Sequence, residues 1–185
     1  LINQFVLLLI GTISFSNVSA QDGEMKRNYI GVLPSILVEP YDMIDAVEIN
    51  ILPFVYEYRF NQGFGLQLRP IMNYRIVKMN PGISQTGGTI MINKYLRFLF
   101  REDYWLTPQI GIFYTDTYNQ IDRIRTMTLG LEPGISMRIS ESFSLNLNLQ
   151  PGINYYPNEY SKQFVDTETG FKSHFGVIFH LGFSF

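Results

Sequence analysis

Apolar and polar residues alternate along most of the chain after its first twenty residues. The alternation is clearest over 142–156, where apolar side chains or Pro take every second position and Ser, Asn, Gln and Gly lie between them. A period of two places the two sets on opposite faces of a β-strand. Eight segments follow this pattern and predict an all-β chain: 28–39, 46–60, 63–77, 89–100, 104–115, 125–139, 142–156 and 174–185.

The segment 46–60 changes phase near its middle. Its first half has Val47 and Ile49 on the apolar face, whereas its second half has Tyr56 and Tyr58 there. A β-bulge inserts one residue and would shift the phase in this way, so we expect one at 52–53. Proline cannot donate a ladder hydrogen bond, and we expect local irregularities where it recurs within strands. These prolines are Pro34, Pro53, Pro70, Pro108, Pro133 and Pro151.

The links between strands alternate in predicted length. Short turn signals at 61–63, 101–103 and 140–142 are rich in Gly, Asn, Asp and Ser. Longer polar links are predicted at 40–45, 77–88, 116–124 and 157–171. Short turns on one side and longer loops on the other are typical of outer-membrane barrels.

Alternation alone would also suit a soluble β-sandwich or a lipocalin-like barrel, in which the apolar face points inward. The polar faces here carry Gln, Asn, Arg and Glu along whole strands, and aromatic residues lie at both ends of several apolar faces. This favours lipid on the apolar side and a polar lumen. We therefore predict a closed antiparallel eight-stranded up-and-down transmembrane β-barrel. Lys94 falls in the apolar register, so it either snorkels, contacts a lipid phosphate or is turned inward by a bulge.

Composition narrows the class further. Charged residues make up 16% and aromatic residues 15% of the 185 positions, and the mean hydropathy is only +0.04. A helical membrane protein would be far more apolar. The net charge of −2 and the lack of a basic patch argue against nucleic acid as a partner. Zero cysteines exclude disulfides and Cys-ligated zinc.

Residues 1–20 have the pattern of a cleavable signal peptide. A compact apolar core over 5–10 is followed by small residues, and Val18, Ser19 and Ala20 form a cleavage site of the A-x-A type. The alternative is a buried N-terminal strand. We expect a signal peptide at 1–20 and one outer-membrane β-barrel domain at 21–185.

The last strand resembles the C-terminal strand of outer-membrane proteins, which alternates apolar residues and finishes on Phe. The resemblance implies recognition by the barrel-assembly machinery, and the residues that would carry this signal are Phe179, Leu181, Phe183 and Phe185. More broadly, 21–185 resembles the small eight-stranded OmpA/OmpX-like barrels of the porin family and the Bacteroidetes-type outer-membrane β-barrel domain. The resemblance implies a bacterial outer-membrane location, with outer-membrane lipid around the barrel.

An eight-stranded barrel has an interior just wide enough for its own side chains. Charged residues on the polar faces must then pair or be hydrated. We expect a plugging salt-bridge and amide network, or alternatively a narrow path for ions or small solutes through it. The predicted lumen residues are Glu48, Glu57, Arg69, Arg75, Arg97, Glu132 and Arg138.

Candidate chemistry is sparse. His174 and His180 are the only histidines, and Ser184 lies about 13 Å from His180 along the same strand face, too far for a direct Ser–His bond. A serine or acid on another strand could still approach them. We predict no catalytic, cofactor or metal residues and no enzyme, with a lipid-modifying enzyme as the least favoured alternative. The expected role is structural or interactive, through extracellular loops such as 157–171.

Overall fold

The computed structural model describes residues 26–33, 36–41, 44–61, 63–76, 81–96, 105–157 and 170–185, with only the backbone for 36–41, 44–48 and Asn61. The predicted signal peptide at 1–20 lies outside the described residues. Ten strands occupy most of the described chain. They are β1 (Asn28–Val32), β2 (Ile36–Tyr41), β3 (Ile44–Asn50), β4 (Phe54–Asn61), β5 (Phe64–Ile76), β6 (Gly82–Tyr95), β7 (Leu106–Asn119), β8 (Ile124–Arg138), β9 (Phe143–Tyr155) and β10 (Phe171–Ser184).

The strands form a closed antiparallel barrel with eight strand positions around its ring. We call each of these positions a stave. Each of β5 to β10 is one stave, whereas β1 with β2 and β3 with β4 form two staves that are interrupted partway. Staves that follow one another in the chain pair with each other, and β1 pairs with β10 to close the ring. The predicted eight-stranded barrel is therefore confirmed. We call the end that holds Asn28 and Ser184 the terminal end, and the end that holds Tyr41 and Phe171 the loop end.

The interruption between β3 and β4 is the bulge that the sequence predicts. Asn50 pairs with Asn73 and Tyr56 pairs with Leu68, so the five residues 51–55 lie opposite the four residues 69–72. The Asn50 side-chain oxygen accepts hydrogen bonds from the backbone N–H of Leu52 at 3.0 Å and of Met72 at 3.3 Å. A side-chain acceptor thus replaces ladder bonds that the extra residue removes.

Two other prolines coincide with a local loss of pairing. Between β8 and β9, the ladder is missing where residues 131–133 lie opposite 149–151, a stretch that includes Pro133 and Pro151. Pro70 and Pro108 instead lie within strands that continue through them. The expected irregularity is thus confirmed at some prolines only, and Pro34 lies outside the described residues.

The turn at 140–142 is tight as predicted, because the Ser140 hydroxyl oxygen accepts the N–H of Phe143 at 3.1 Å. The turn at 61–63 is also short, since β4 ends at Asn61 and β5 begins at Phe64. The turn at 101–103 lies outside the described residues.

Three of the predicted long links are wrong, because the strands extend into them. Two residues separate β2 from β3, five separate β5 from β6, and four separate β7 from β8. Residues 82–88 lack apolar alternation and nevertheless belong to β6, where β5 pairs with them and β7 pairs from Gln85 onwards. The link between β9 and β10 remains long, and its residues 158–169 lie outside the described part.

The barrel is apolar outside and polar inside. On β10, Phe175 is 69% exposed and Val177 is also exposed, whereas His180 and Ser184 are buried. The other strands whose side chains are described repeat this arrangement, with exposed Ile, Leu, Val and Phe outside and buried Asn, Gln, Thr, Arg and Glu inside. In the described part of the chain, no helix is long and apolar enough to cross a membrane.

Candidate functional site in the barrel lumen

An ion pair crosses the middle of the lumen. Arg69 projects inward from β5 and Glu132 from β8, and both residues are buried, with 3% and 1% exposure. The Arg69 guanidinium donates through Nη1 to Glu132 Oε2 at 2.7 Å and through Nη2 to Oε1. The paired geometry matches the planar fork of arginine to the carboxylate. We call this pair, with the amides that bind it, the central layer.

Amide side chains complete the central layer. Glu132 also accepts Asn148 Nδ2 at 2.7 Å and Gln150 Nε2 at 2.6 Å. Arg69 Nε donates to the side-chain oxygen of Gln67 at 2.6 Å. The charges are thus surrounded by hydrogen-bonding partners, which is the condition for burying an ion pair without a large penalty.

A second cluster fills the lumen on the terminal side of the central layer. Tyr95 donates to both carboxylate oxygens of Glu57, at 2.6 and 2.8 Å, and Gln67 Nε2 donates to Glu57 at 3.2 Å. Arg59 lies 3.3 Å from the same carboxylate and stacks near the Tyr95 ring, 4.9 Å from its centroid. Gln67 therefore links this cluster to the central layer.

Tyr29 and His180 close the terminal side near the seam between β1 and β10. The Tyr29 hydroxyl is 2.8 Å from His180 Nδ1, and Asn146 Nδ2 donates to the same hydroxyl at 3.1 Å. All three side chains are buried. His180 is thus part of the packing of the lumen rather than of an accessible site.

The loop half of the lumen is open instead of filled. It contains a cavity of about 360 Å³, with Arg69 and Gln150 of the central layer among its lining residues. His174 also lines this cavity, and its ring makes an edge-to-face contact with Phe113 at 6.1 Å between centroids. Among the described residues, side chains fill the terminal half of the lumen and leave a cavity in the loop half.

The predicted lumen residues separate into several groups. Glu57, Arg69 and Glu132 belong to the buried network, and Arg75 lies half-buried on β5 towards the loop end. Arg138 is the last residue of β8 at the terminal end and is exposed, so it is not part of the buried network. Glu48 lies in β3, but its side chain is outside the described part, and so is the whole of Arg97.

The alternation placed the amides Gln67, Asn148 and Gln150 on the same polar faces as the charged residues, and the predicted network included amides. The inward aromatic residues were not predicted. Tyr29 and Tyr95 also point inward, although aromatic residues are expected outside in a membrane barrel. Their inward position follows from strand register alone.

The four residues predicted as the assembly signal are all exposed, three on the outer face of β10 and one directly after its end. They are Phe179, Leu181, Phe183 and Phe185. Phe183 packs against Phe143 of β9, with 5.3 Å between ring centroids. Phe185 exchanges backbone hydrogen bonds with Asn28 at 2.9 and 3.1 Å, and these bonds extend the β1–β10 seam.

Lys94 points outward near the terminal end of β6. Its ammonium lies 4.7 Å from the centroid of the Phe64 ring on the neighbouring strand. The residue is exposed and one position from the end of β6, so it is not turned inward by a bulge. This location favours the snorkelling alternative, because the headgroup region tolerates a lysine at low cost.

Among the described residues, no group of three His, Asp or Glu side chains is arranged to hold a metal ion. His174 and His180 lie on one strand, and Ser184 is buried at its end. The predicted absence of a cofactor remains a prediction.

Comparisons with known proteins show a similarity in structure, without a match in sequence. No protein-family model matches the chain, and no curated protein matches it. The crystal structure of the outer membrane protein OprG from Pseudomonas aeruginosa is similar over 88% of this chain and 98% of that chain, with a TM-score of 0.48 and 12% sequence identity. The role of this barrel therefore has to be inferred from its own side chains.

Proposed function

We propose that this chain is an integral outer-membrane β-barrel with a closed lumen and a structural or interaction role. The proposal is carried by which face of each strand points outward and which points into the lumen. Apolar side chains cover the outside of the barrel, while the Arg69–Glu132 ion pair and most buried amides lie inside it.

The outer surface supports a lipid environment. Leu129, Ile112 and Val177 are each 60% exposed, and similar residues occupy the outward positions of every stave that has described side chains. Soluble monomers rarely expose a contiguous apolar patch larger than a few hundred Å². A closed barrel also satisfies its backbone hydrogen bonds internally, which is what lipid demands of a spanning structure.

The central layer supports closure of the lumen. A hydrated ion would have to separate Arg69 from Glu132 or pass beside them, and both are tied to amides from neighbouring strands. Moving either charge away from its partner would leave it uncompensated in the lumen, and a substitution that removes one partner of a buried pair typically costs about 3–5 kcal/mol. We therefore expect the pair to stay together without a further signal.

A narrow channel is the second candidate function, and the cavity in the loop half favours it. Solutes already have space to enter about 360 Å³ of lumen, so a rearrangement of the central layer and the Glu57 cluster would complete a path. Current through the purified protein separates this candidate from a closed barrel.

We propose a non-catalytic role on the basis of the two histidines. His180 is buried and hydrogen-bonded to Tyr29, so a substrate cannot reach it. His174 faces the cavity, and its ring contacts Phe113. Unchanged lipid A and phospholipid profiles in cells with His174→Ala or His180→Ala would agree with this role, and an altered profile would contradict it.

The resemblance of the sequence to small outer-membrane barrels supports three more specific proposals. We propose a bacterial outer-membrane location, membership among OmpA/OmpX-like or Bacteroidetes-type barrels, and recognition of Phe179, Leu181, Phe183 and Phe185 by the assembly machinery. Their exposure on the outer face of β10 and directly after its end keeps them available to such a partner. An extracellular partner would meet the loop 157–171.

Membrane fractionation and planar-bilayer recording test the main proposal together. We expect the protein in the outer-membrane fraction, with faster gel migration before heating than after it, and no unitary current in a planar bilayer. Soluble material without a mobility shift would overturn the barrel in lipid. Reproducible unitary current would overturn the closed lumen and favour the channel.

A further inference from the structure

The cavity in the loop half of the lumen has the size of a small-molecule site. Its volume of about 360 Å³ lies near the lower end of the range of about 300–1,000 Å³ that is typical of ligand pockets. Arg69 and Gln150 line it at the level of the central layer. Thr115, Asn154 and His174 along its sides are only half-buried, so solvent reaches it.

One wall of the cavity consists of threonine hydroxyls. They come from β6, β7 and β8, and they are Thr89, Thr115, Thr117, Thr126 and Thr128. Thr89 and Thr115 hydrogen-bond each other at 2.7 Å, and Thr128 donates to Asn154 at 2.7 Å. A hydroxyl offers one donor and two acceptor positions, so one such bond leaves capacity for a ligand.

The opposite wall is aliphatic. Leu33 follows β1, Ile71 belongs to β5 and Ile178 belongs to β10. The order of the staves around the ring places β1 across the lumen from β7, with β10 beside β1 and β5 beside β6, so the aliphatic residues lie outside the arc of the threonines. A ligand in the cavity would therefore meet hydrogen-bonding groups on one side and methyl groups on the other.

The described part of the cavity lining offers no free charge to an ionic ligand. Among the described lining residues, Arg69 alone has a permanent charge, and Glu132 already binds its guanidinium through two oxygens. A charged ligand would lose hydration without gaining an opposite partner, which is costly in a confined site. The lining therefore favours a neutral ligand.

We propose that this cavity binds a neutral carbohydrate of one or two rings. A pyranose has hydroxyl groups around its edge and an apolar face of C–H groups, which match the threonine wall and the aliphatic wall. Asn154 and Gln150 add amide groups that can both donate and accept. The proposal rests on the closed lumen, because a blind cavity retains its ligand.

Isothermal titration of the purified, folded protein with D-glucose and with maltose tests this site. The detergent must lack a sugar headgroup, because such a headgroup would compete. We expect saturable binding of at least one sugar, and weaker binding of the charged analogues D-glucuronate and D-glucosamine. The absence of saturable binding by both sugars, or tighter binding of either analogue, would overturn the proposal.

A double substitution locates the binding. We expect Thr115→Val with Thr117→Val to weaken sugar binding on the order of tenfold, because it removes two hydroxyls and keeps the side-chain shape. Thr107→Val is the matched control, since Thr107 also lies on β7 but does not line the cavity. Equal weakening in the control would overturn the site. Planar-bilayer recording of the same preparation tests separately whether the lumen is closed. A current would contradict the closed lumen, whereas a lack of sugar binding would contradict only the binding site.

Discussion

Arg69 and Glu132 show how single residues organise the interior of the barrel. Each charge is almost fully buried, and each is bound by its partner and by neighbouring amides. A buried pair of this kind stabilises little in comparison with apolar packing, but losing one member leaves an uncompensated charge. The pair therefore determines which lumen conformation is tolerated.

We expect Glu132→Ala to lower the free energy of unfolding by about 3–5 kcal/mol, because Arg69, Asn148 and Gln150 would all lose their acceptor. Urea unfolding in detergent micelles measures this. The double variant Arg69→Met with Glu132→Leu removes both charges and should recover most of the loss.

The matched control for this prediction is the exposed pair of Arg125 and Asp116, whose oxygen and nitrogen lie 2.6 Å apart. Its side chains are 47% and 35% exposed, so Asp116→Ala should cost only about 0–1 kcal/mol. Equal losses in Glu132→Ala and Asp116→Ala would mean that burial of the central layer does not matter energetically.

At the scale of elements, the seam between β1 and β10 depends on a tyrosine lying over glycines. A Cβ at Gly182 would lie 2.5 Å from Tyr29 Cζ and 2.6 Å from Gly31 Cα. The Tyr29 ring thus covers backbone that has no side chain of its own, as aromatic residues do over glycine in designed sheets. Only glycine at 182 leaves room for the ring at the closing seam.

We expect Gly182→Val to impair closure of the barrel, because the new side chain would meet both Tyr29 and the backbone of β1. Gel migration of unheated samples should show the loss of the fast-migrating folded form. Gly176→Ala lies on the same strand, and its nearest contact would be 3.3 Å from a flexible glutamine oxygen, so it should fold normally. Normal folding of Gly182→Val would show that the seam between β1 and β10 accommodates a larger side chain at this position, and would contradict the prediction.

The strands also show where the alternation of apolar and polar residues fails to predict a strand. Alternation identified every stave, and the phase slip in 46–60 identified the bulge beside Asn50. It did not identify residues 82–88, because their Gly, Ser, Gln and Thr are typical of a loop. Pairing with β5 and β7 on both sides makes them a strand, and Ser84 is the extra residue where the register shifts.

At the scale of the whole molecule, the outward faces form one apolar surface. Ile112 lies at the centre of β7 and is 60% exposed, between Ile92 of β6 and Leu131 of β8. A cation at the middle of a lipid-facing surface is costly, whereas the same cation near the interface is tolerated. If lipid surrounds the barrel, the cost of an outward cation must therefore depend on how far the cation lies from the middle of the apolar surface.

We expect Ile112→Arg to destabilise the barrel in lipid vesicles by about 2–4 kcal/mol, as measured by reversible urea unfolding. Ile139→Arg is the control, because Ile139 is exposed just beyond the terminal end of β8 and should cost about 0–1 kcal/mol. Equal and small effects at both sites would indicate that water, and not lipid, surrounds the barrel.

The sequence by itself determined the number of staves, their two faces and the bulge, because each depends on a period of two within a short segment. It also placed Glu57, Arg69 and Glu132 on polar faces. Only the tertiary structure decided that Arg69 meets Glu132 across the lumen, that Arg138 stays exposed and that the loop half is hollow. Contacts between residues far apart in the chain depend on closure and register of the whole ring, which no single strand specifies.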